Sequence, residues 1–197
     1  MQTNDIITAV KTLNEGGIVA HATETCYGLA CDLSNPDAVA KLFALKQRPE
    51  HMPVSVLFAS VDQAKEYVQW NDAAQKLADE HLPGPLTMIL NATNKDLFVV
   101  PNDKDPNSKP TTQNSELRTI GVRISSNSIA QELVKSFGSP ISTTSANIHG
   151  QPNAYSIDQL RQEGIEPDFI IDSGELPEVA ASKVIDLSEG KEEVLRK

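Results

Sequence analysis

Short apolar runs alternate with helix-patterned segments along almost the whole chain, and this alternation restricts the possible folds more than any other feature. Residues 18–20, 54–58, 86–90, 119–125, 140–144, 169–171, 182–187 and 193–196 read as strands. Between them lie helical patterns with start and stop signals. Ile6, Ile7, Val10 and Leu13 recur near helical spacing until Gly16-Gly17 ends the pattern. Asn35-Pro36 reads as an N-cap followed by proline at the first helical position, and this helix is expected to run to about Arg48, before Pro49. Ser60 with Gln63 reads as a capping box, as does Ser156 with Gln159. Further helices are expected over residues 72–81 and 128–137, the second stopped by Gly138. Strands alternating with helices mean an α/β or tightly mixed α+β class.

At 197 residues, one domain spanning 1–197 is the expectation. Residues 101–116 are almost devoid of apolar groups and read as a long polar loop inserted between strands. The formal net charge of −10 argues against a protein that coats nucleic acid, and so against tight nucleic-acid binding of any kind. A confined cationic pocket remains compatible with it. No run approaches the roughly 18 apolar residues of a membrane helix, and the N-terminus lacks the pattern of a secretory signal. The two cysteines, Cys26 and Cys31, read as reduced thiols rather than a disulfide framework. A cytoplasmic protein without membrane partners is expected.

Four polar segments stand beside the apolar strands: 23–25, 46–49, 142–147 and 182–186, the last with Arg196 nearby. Hydroxyls and small residues at strand ends suit oxyanion binding, because backbone amides and short side chains approach closely. Lys46 and Arg48 could clamp a polyphosphate, or simply favour the dipole at a helix end. Glu24 reads either as a general base or as an ordinary exposed carboxylate. The histidines at 21, 51, 81 and 149 are scattered without metal-ligand spacing and read as surface or loop residues. No P-loop, dinucleotide fingerprint or nucleophile elbow occurs.

The ordered set of Thr23-Glu24-Thr25-Cys26-Tyr27-Gly28-Leu29, Leu45-Lys46-Gln47-Arg48-Pro49, Leu82-Pro83-Gly84-Pro85-Leu86-Thr87, Gly121-Val122-Arg123-Ile124, Ser142-Thr143-Thr144-Ser145-Ala146-Asn147, Ser182-Lys183-Val184-Ile185-Asp186 and Val194-Leu195-Arg196 resembles the YrdC/TsaC family of threonylcarbamoyl-AMP synthases, from about residue 5 to the C-terminus. The resemblance implies a twisted mixed sheet flanked by helices with a concave active-site face. It also implies a reaction: L-threonine, bicarbonate and ATP give threonylcarbamoyl-AMP, pyrophosphate and water. The product would pass to a separate tRNA threonylcarbamoyl transferase complex, for N6-threonylcarbamoyladenosine formation. By the same resemblance Lys46 and Arg48 are catalytic and hold the phosphates, with Thr87, Ser145, Asn153 and Arg196 on the nucleotide side. Asn147 orders the strand-end turn or contacts nucleotide. Thr23, Arg123, Thr143 and Ser182 face threonine. Magnesium accompanies ATP, with no dedicated protein metal cluster. The chain departs from the family pattern at Ala22, Met52, Asn153 and Lys183, which bears on contacts from the 50–53 and 150–153 loops. Two other readings compete: an RNA-binding or ribosome-maturation module of the same fold, and a carbamoyl-adenylate-forming domain like that within hydrogenase maturation proteins.

Overall fold

The computed structural model describes residues 3–49, 54–93 and 119–197. The polar loop expected at 101–116, and Met52, lie outside the described residues. The strands are β1 (Val19–Ala22), β2 (Tyr27–Ala30), β3 (Ser55–Leu57), β4 (Leu86–Asn91), β5 (Thr119–Arg123), β6 (Ile141–Ser145), β7 (Phe169–Ile170), β8 (Lys183–Asp186) and β9 (Glu193–Arg196). The helices are α1 (Thr3–Asn14), α2 (Pro36–Leu45), α3 (Val61–Lys65), α4 (Asp72–His81), α5 (Ser128–Phe137) and α6 (Ile157–Gln162).

The strands form one mixed sheet in the order β7-β1-β2-β6-β3-β5-β4-β8-β9. The β1–β7, β3–β5 and β4–β8 pairs are parallel, and the others are antiparallel. One face is apolar across its width. Tyr27, Leu29, Val56, Met88, Val122 and Ile185 pack there with residues from α2, α3, α4 and α6 in one core cluster. On the other face Val19, Ala30, Leu57 and Ile141 pack with α1 and α5 in a second, smaller cluster.

The second face changes character part-way along its strands. Residues two apart on a strand share a face, as do directly paired residues on neighbouring strands. Ile141 belongs to the second cluster, so Thr143 and Ser145 continue the same face beyond it. The register carries that polar face outward from β6. Ser145 pairs with Gly28, and Thr143 with Ser55. Leu57 pairs with Arg123, Arg123 with Thr87, Thr87 with Val184, and Val184 with Arg196. The candidate site lies where the helices stop covering this face.

The capping signals hold. Asn35 Oδ1 accepts from the backbone N–H groups of Asp37 (3.0 Å) and Ala38 (3.2 Å) at the start of α2. Replacing Asn35 by alanine leaves those donors without their protein partner. The expected cost is about 1 kcal/mol, or about 2–4 °C in Tm for a chain of this size. A thermal melt of Asn35→Ala with an unchanged midpoint would contradict this. The segments 72–81 and 128–137 form helices as read, and Gly138 adopts the left-handed conformation (φ 83°). Strand β2 is an addition to the expectation. It is short, contains Gly28 and follows a polar run, so nothing in its own pattern marks a strand. No helix among the described residues is long and apolar enough to cross a membrane.

Candidate active site

The end of α2 differs from the expectation and builds part of the site. The helix stops at Leu45 rather than near Arg48. Gln47 takes a left-handed conformation (φ 49°). Its N–H donates to Ala44 O, and the Arg48 N–H donates to Phe43 O, both at 3.0 Å. This is a Schellman cap with a non-glycine residue at the left-handed position. The Arg48 guanidinium rests over the Phe43 ring, 5.9 Å from its centroid. Lys46 and Arg48 are therefore not stacked along a last helical turn. The cap turns Arg48 to the cleft and Lys46 to the interior.

Lys46 is 3% exposed. Its Nζ donates to Ser145 O, to Asn147 O (2.9 Å) and to Asn147 Oδ1 (3.1 Å). An ammonium has three donors, and these contacts use all of them. Its own carbonyl accepts from the His149 N–H (2.8 Å). Burial, with Arg48 nearby, pulls its pKa down to about 8. Asn147 completes the turn after β6: its Oδ1 also accepts from Ser145 Oγ (2.7 Å), and its Nδ2 donates to Gln151 O. Of the two roles open to Asn147, the described contacts are those of ordering the turn.

Across the cleft, Thr23 closes the turn between β1 and β2. Its Oγ1 accepts from the Thr25 and Cys26 N–H groups, both at 3.2 Å, and bonds Cys26 O at 2.7 Å. The turn thrusts Glu24 towards Arg123, and the pair meets at 2.8 Å with side chains 13% and 10% exposed. The reading of Glu24 as an ordinary exposed carboxylate is thus overturned by the sheet register that puts Arg123 beside it. Arg123 NH2 also donates to Thr25 Oγ1 (3.1 Å), while its buried Nε has no protein partner. On the far wall Arg196 donates to Ser182 O (2.7 Å) and Ser182 Oγ (2.9 Å), and Ser182 Oγ lies 3.4 Å from Thr87 Oγ1. Burial and the proximity of Arg123 lower the Arg196 pKa.

These residues surround a cavity of about 260 Å³, near the lower end for ligand pockets (~300–1,000 Å³). Of the residues expected on the nucleotide side, Arg48, Thr87, Ser145, Asn153 and Arg196 line it. All four expected on the threonine side, Thr23, Arg123, Thr143 and Ser182, line it too. Lys46 and Asn147 do not; they stand behind the wall and shape it. Cys26, Ser55 and His149 also line the cleft without having been expected there, and Thr25 lines it from the polar segment 23–25. Ser55 carried a signal, as the one polar residue within the apolar run 54–58. Cys26 and Cys31 are free and buried, and burial raises both thiol pKa values.

His21 corrects a further expectation. It is fully buried in β1, paired with Gly28 beneath the cleft, rather than at a surface or loop. Its Nδ1 lies 3.0 Å from Ala22 O. A carbonyl only accepts, so Nδ1 carries the hydrogen and Nε2 is a bare acceptor. Burial lowers its pKa to about 4, helped by Arg123 and opposed by the Ala22 carbonyl.

A half-covered mixed sheet whose naked face gathers hydroxyls and three guanidiniums, with no carboxylate among the described lining residues, forms a cleft whose chemistry suits small anionic ligands. The chain belongs to the Sua5/YciO/YrdC family, whose model, described as "Telomere recombination", matches residues 11–197. A threonylcarbamoyl-AMP synthase of Vibrio campbellii is 31% identical over 157 residues, 78% of each chain. The crystal structure of P. abyssi Sua5 complexed with L-threonine superposes with a TM-score of 0.82 at 32% identity, over 97% of this chain and 53% of that one. The chain thus spans about half of that protein's length. E. coli YciO superposes with a TM-score of 0.81 at 26% identity, over 100% of this chain and 90% of that one.

Proposed function

We propose that the protein is a threonylcarbamoyl-AMP synthase, an adenylate-forming enzyme that serves tRNA modification. The observation that carries the proposal is the convergence of Arg48, Arg123 and Arg196 on one hydroxyl-lined cleft in a chain of net charge −10. Like charges held together in a confined site are stabilised by an anionic occupant. ATP and the threonine carboxylate supply that charge. The names of the relatives, one of them a complex with L-threonine, support the choice among anions.

The chemistry needs no protein nucleophile. The threonine amine adds to bicarbonate with loss of water, giving a carbamate. A carbamate oxygen attacks the α-phosphorus of ATP, and pyrophosphate leaves with the electron pair of the broken P–O bond. The enzyme's task is positioning and charge stabilisation. Arg123 takes the threonine carboxylate, with Thr143 and Ser182 beside it. Arg48 and Arg196 face the phosphates, with Ser145, Thr87 and Asn153. Lys46 acts from behind, by fixing the turn that carries Ser145. Magnesium would accompany ATP and, when bound, would supply charge stabilisation for the pyrophosphate. With hydroxyls, an amide and guanidiniums lining the cleft, phosphate oxygens and water would be its main ligands. The product is handed to a separate transferase, in the cytoplasm.

Pyrophosphate release, measured with each substrate omitted in turn, tests the proposal. Release requires L-threonine, bicarbonate and ATP together. Equal release without threonine would sink it.

A further inference from the structure

We propose that Glu24 is a positioning residue for Arg123, fixing the guanidinium in the pose that receives the carboxylate of an α-amino acid. This rests on the amino-acid-activating reading above and deepens its threonine subsite. Glu24 is not among the residues lining the cleft, so it acts through Arg123 rather than on a ligand.

The argument starts from a difficulty. An arginine side chain is long and rotamer-rich. Arg123 must also stand near a second cation, Arg196, whose pKa it lowers. Left alone, it would swing away from Arg196. Glu24 and Thr25 prevent this by accepting from the same terminal nitrogen, at 2.8 and 3.1 Å. Both hydrogens of that NH2 are then used. Glu24 is anchored in turn: its second oxygen accepts from the Ser125 hydroxyl, and Ser125 Oγ accepts from the Asn127 N–H (3.1 Å). Asn127 caps α5 through Ile129 N and Ala130 N. The guanidinium is thus tied through Ser125 to a helix terminus, and through Thr25 to the turn that Thr23 closes.

The same contacts determine what Arg123 has left to offer. Its Nε is buried and unpartnered, and an unmet charge-assisted donor is costly to keep. Burial also keeps it from a ligand, so an incoming carboxylate meets the other terminal nitrogen, NH1, without displacing Glu24. The ion pair therefore leaves NH1 for the ligand and holds it still.

The test compares wild type, Glu24→Ala and Glu24→Gln. It uses calorimetric binding of L-threonine and separate steady-state titrations of threonine and ATP. Glu24→Ala is expected to raise both the Kd and the KM for threonine by about tenfold, with the KM for ATP little changed. Glu24→Gln still offers an oxygen to Arg123, so it should restore most of the threonine affinity. An unchanged threonine Kd in Glu24→Ala would overturn the proposal, as would equal weakening of threonine and ATP. Glutamine as damaging as alanine would overturn it too, because charge rather than pose would then be what matters. If Glu24→Ala fails to fold, Glu24→Asp takes its place: the shorter side chain cannot hold Arg123 in the same pose, so the threonine Kd should rise, and an unchanged Kd overturns the proposal. A wild-type protein that binds no L-threonine takes down the amino-acid reading itself, and shows this before any variant is made.

Discussion

Lys46→Ala lowers threonine-dependent pyrophosphate release by a factor on the order of 10²–10³ and also destabilises the fold, by about 2 kcal/mol. The two losses have one cause. Truncation removes the ammonium from Ser145 O, Asn147 O and Asn147 Oδ1 at once. Those acceptors are left in a wall that is otherwise buried, and the turn presenting Ser145 to the cleft loses its tie to α2. Losing the desolvated charge offsets part of the cost, so the net figure stays well below the sum of three broken hydrogen bonds. Arg48→Ala gives the contrasting pattern. Arg48 is half-buried and lines the cleft, so turnover should fall similarly while stability barely moves. Rates from coupled pyrophosphate detection and midpoints from thermal melts separate the two cases. A Lys46→Ala protein as stable as Arg48→Ala would show that the ammonium does not hold the turn.

Acidification from pH 6.5 to pH 4 costs the protein about 3 kcal/mol through His21 alone. An unfolded imidazole titrates near 6.5, whereas burial holds the folded one at about 4. Above pH 6.5 both states are neutral and His21 contributes no pH dependence. Between the two values the unfolded chain binds a proton that the native state refuses, so stability falls as pH falls. The gap of roughly two and a half pH units, at about 1.36 kcal/mol per unit, sets the magnitude. Asp168 acts in a lower window. Burial alone would raise its pKa, but the Lys41 ammonium at 2.6 Å and the Ile18 N–H at 2.7 Å bring it below 3.8. Its contribution is present above 3.8 and is lost only as pH drops further. Urea unfolding at pH 7, 5 and 4 reads the His21 slope directly. His21→Gln, which cannot charge, should flatten it. An equally steep slope in that variant would assign the acid sensitivity to other groups.

Much of the architecture was legible from local pattern. The caps at Asn35, Ser60 and Ser156, the stop at Gly138 and the span of α4 follow from backbone hydrogen-bonding rules that operate within a few residues. The helix expected to reach Arg48 ended at Leu45 because Gln47 accepts a left-handed conformation that its side chain does not advertise. Strand β2 was hidden because its pairing energy comes from its hairpin partner β1 and from β6, which is remote in the chain, rather than from its own pattern. Within the site, the residues drawn from the family's motifs came together as a set, and nine of the eleven line one cleft. What those motifs did not convey was orientation. The Lys46 and Arg48 side chains lie two residues apart, yet one props a turn and the other meets the ligand space. Glu24 read as a general base or an exposed carboxylate, and His21 as a surface or loop residue; only their neighbours across the sheet decide their places.

The sequence by itself determined the class of fold, the positions of most elements and the identity of the polar residues at strand ends. These are properties of contiguous segments, governed by periodicity, capping and turn chemistry. The tertiary structure alone decided which face those residues share. Register pairs Arg123 with Thr87, and Thr87 with Val184, across strands far apart in the chain. The gap beside α1 and α5 leaves that face uncovered. A one-residue slip in any of these pairings would turn a strand's polar side chains into the opposite core. The cationic cleft of this acidic protein is thus a product of long-range pairing, which no local pattern encodes.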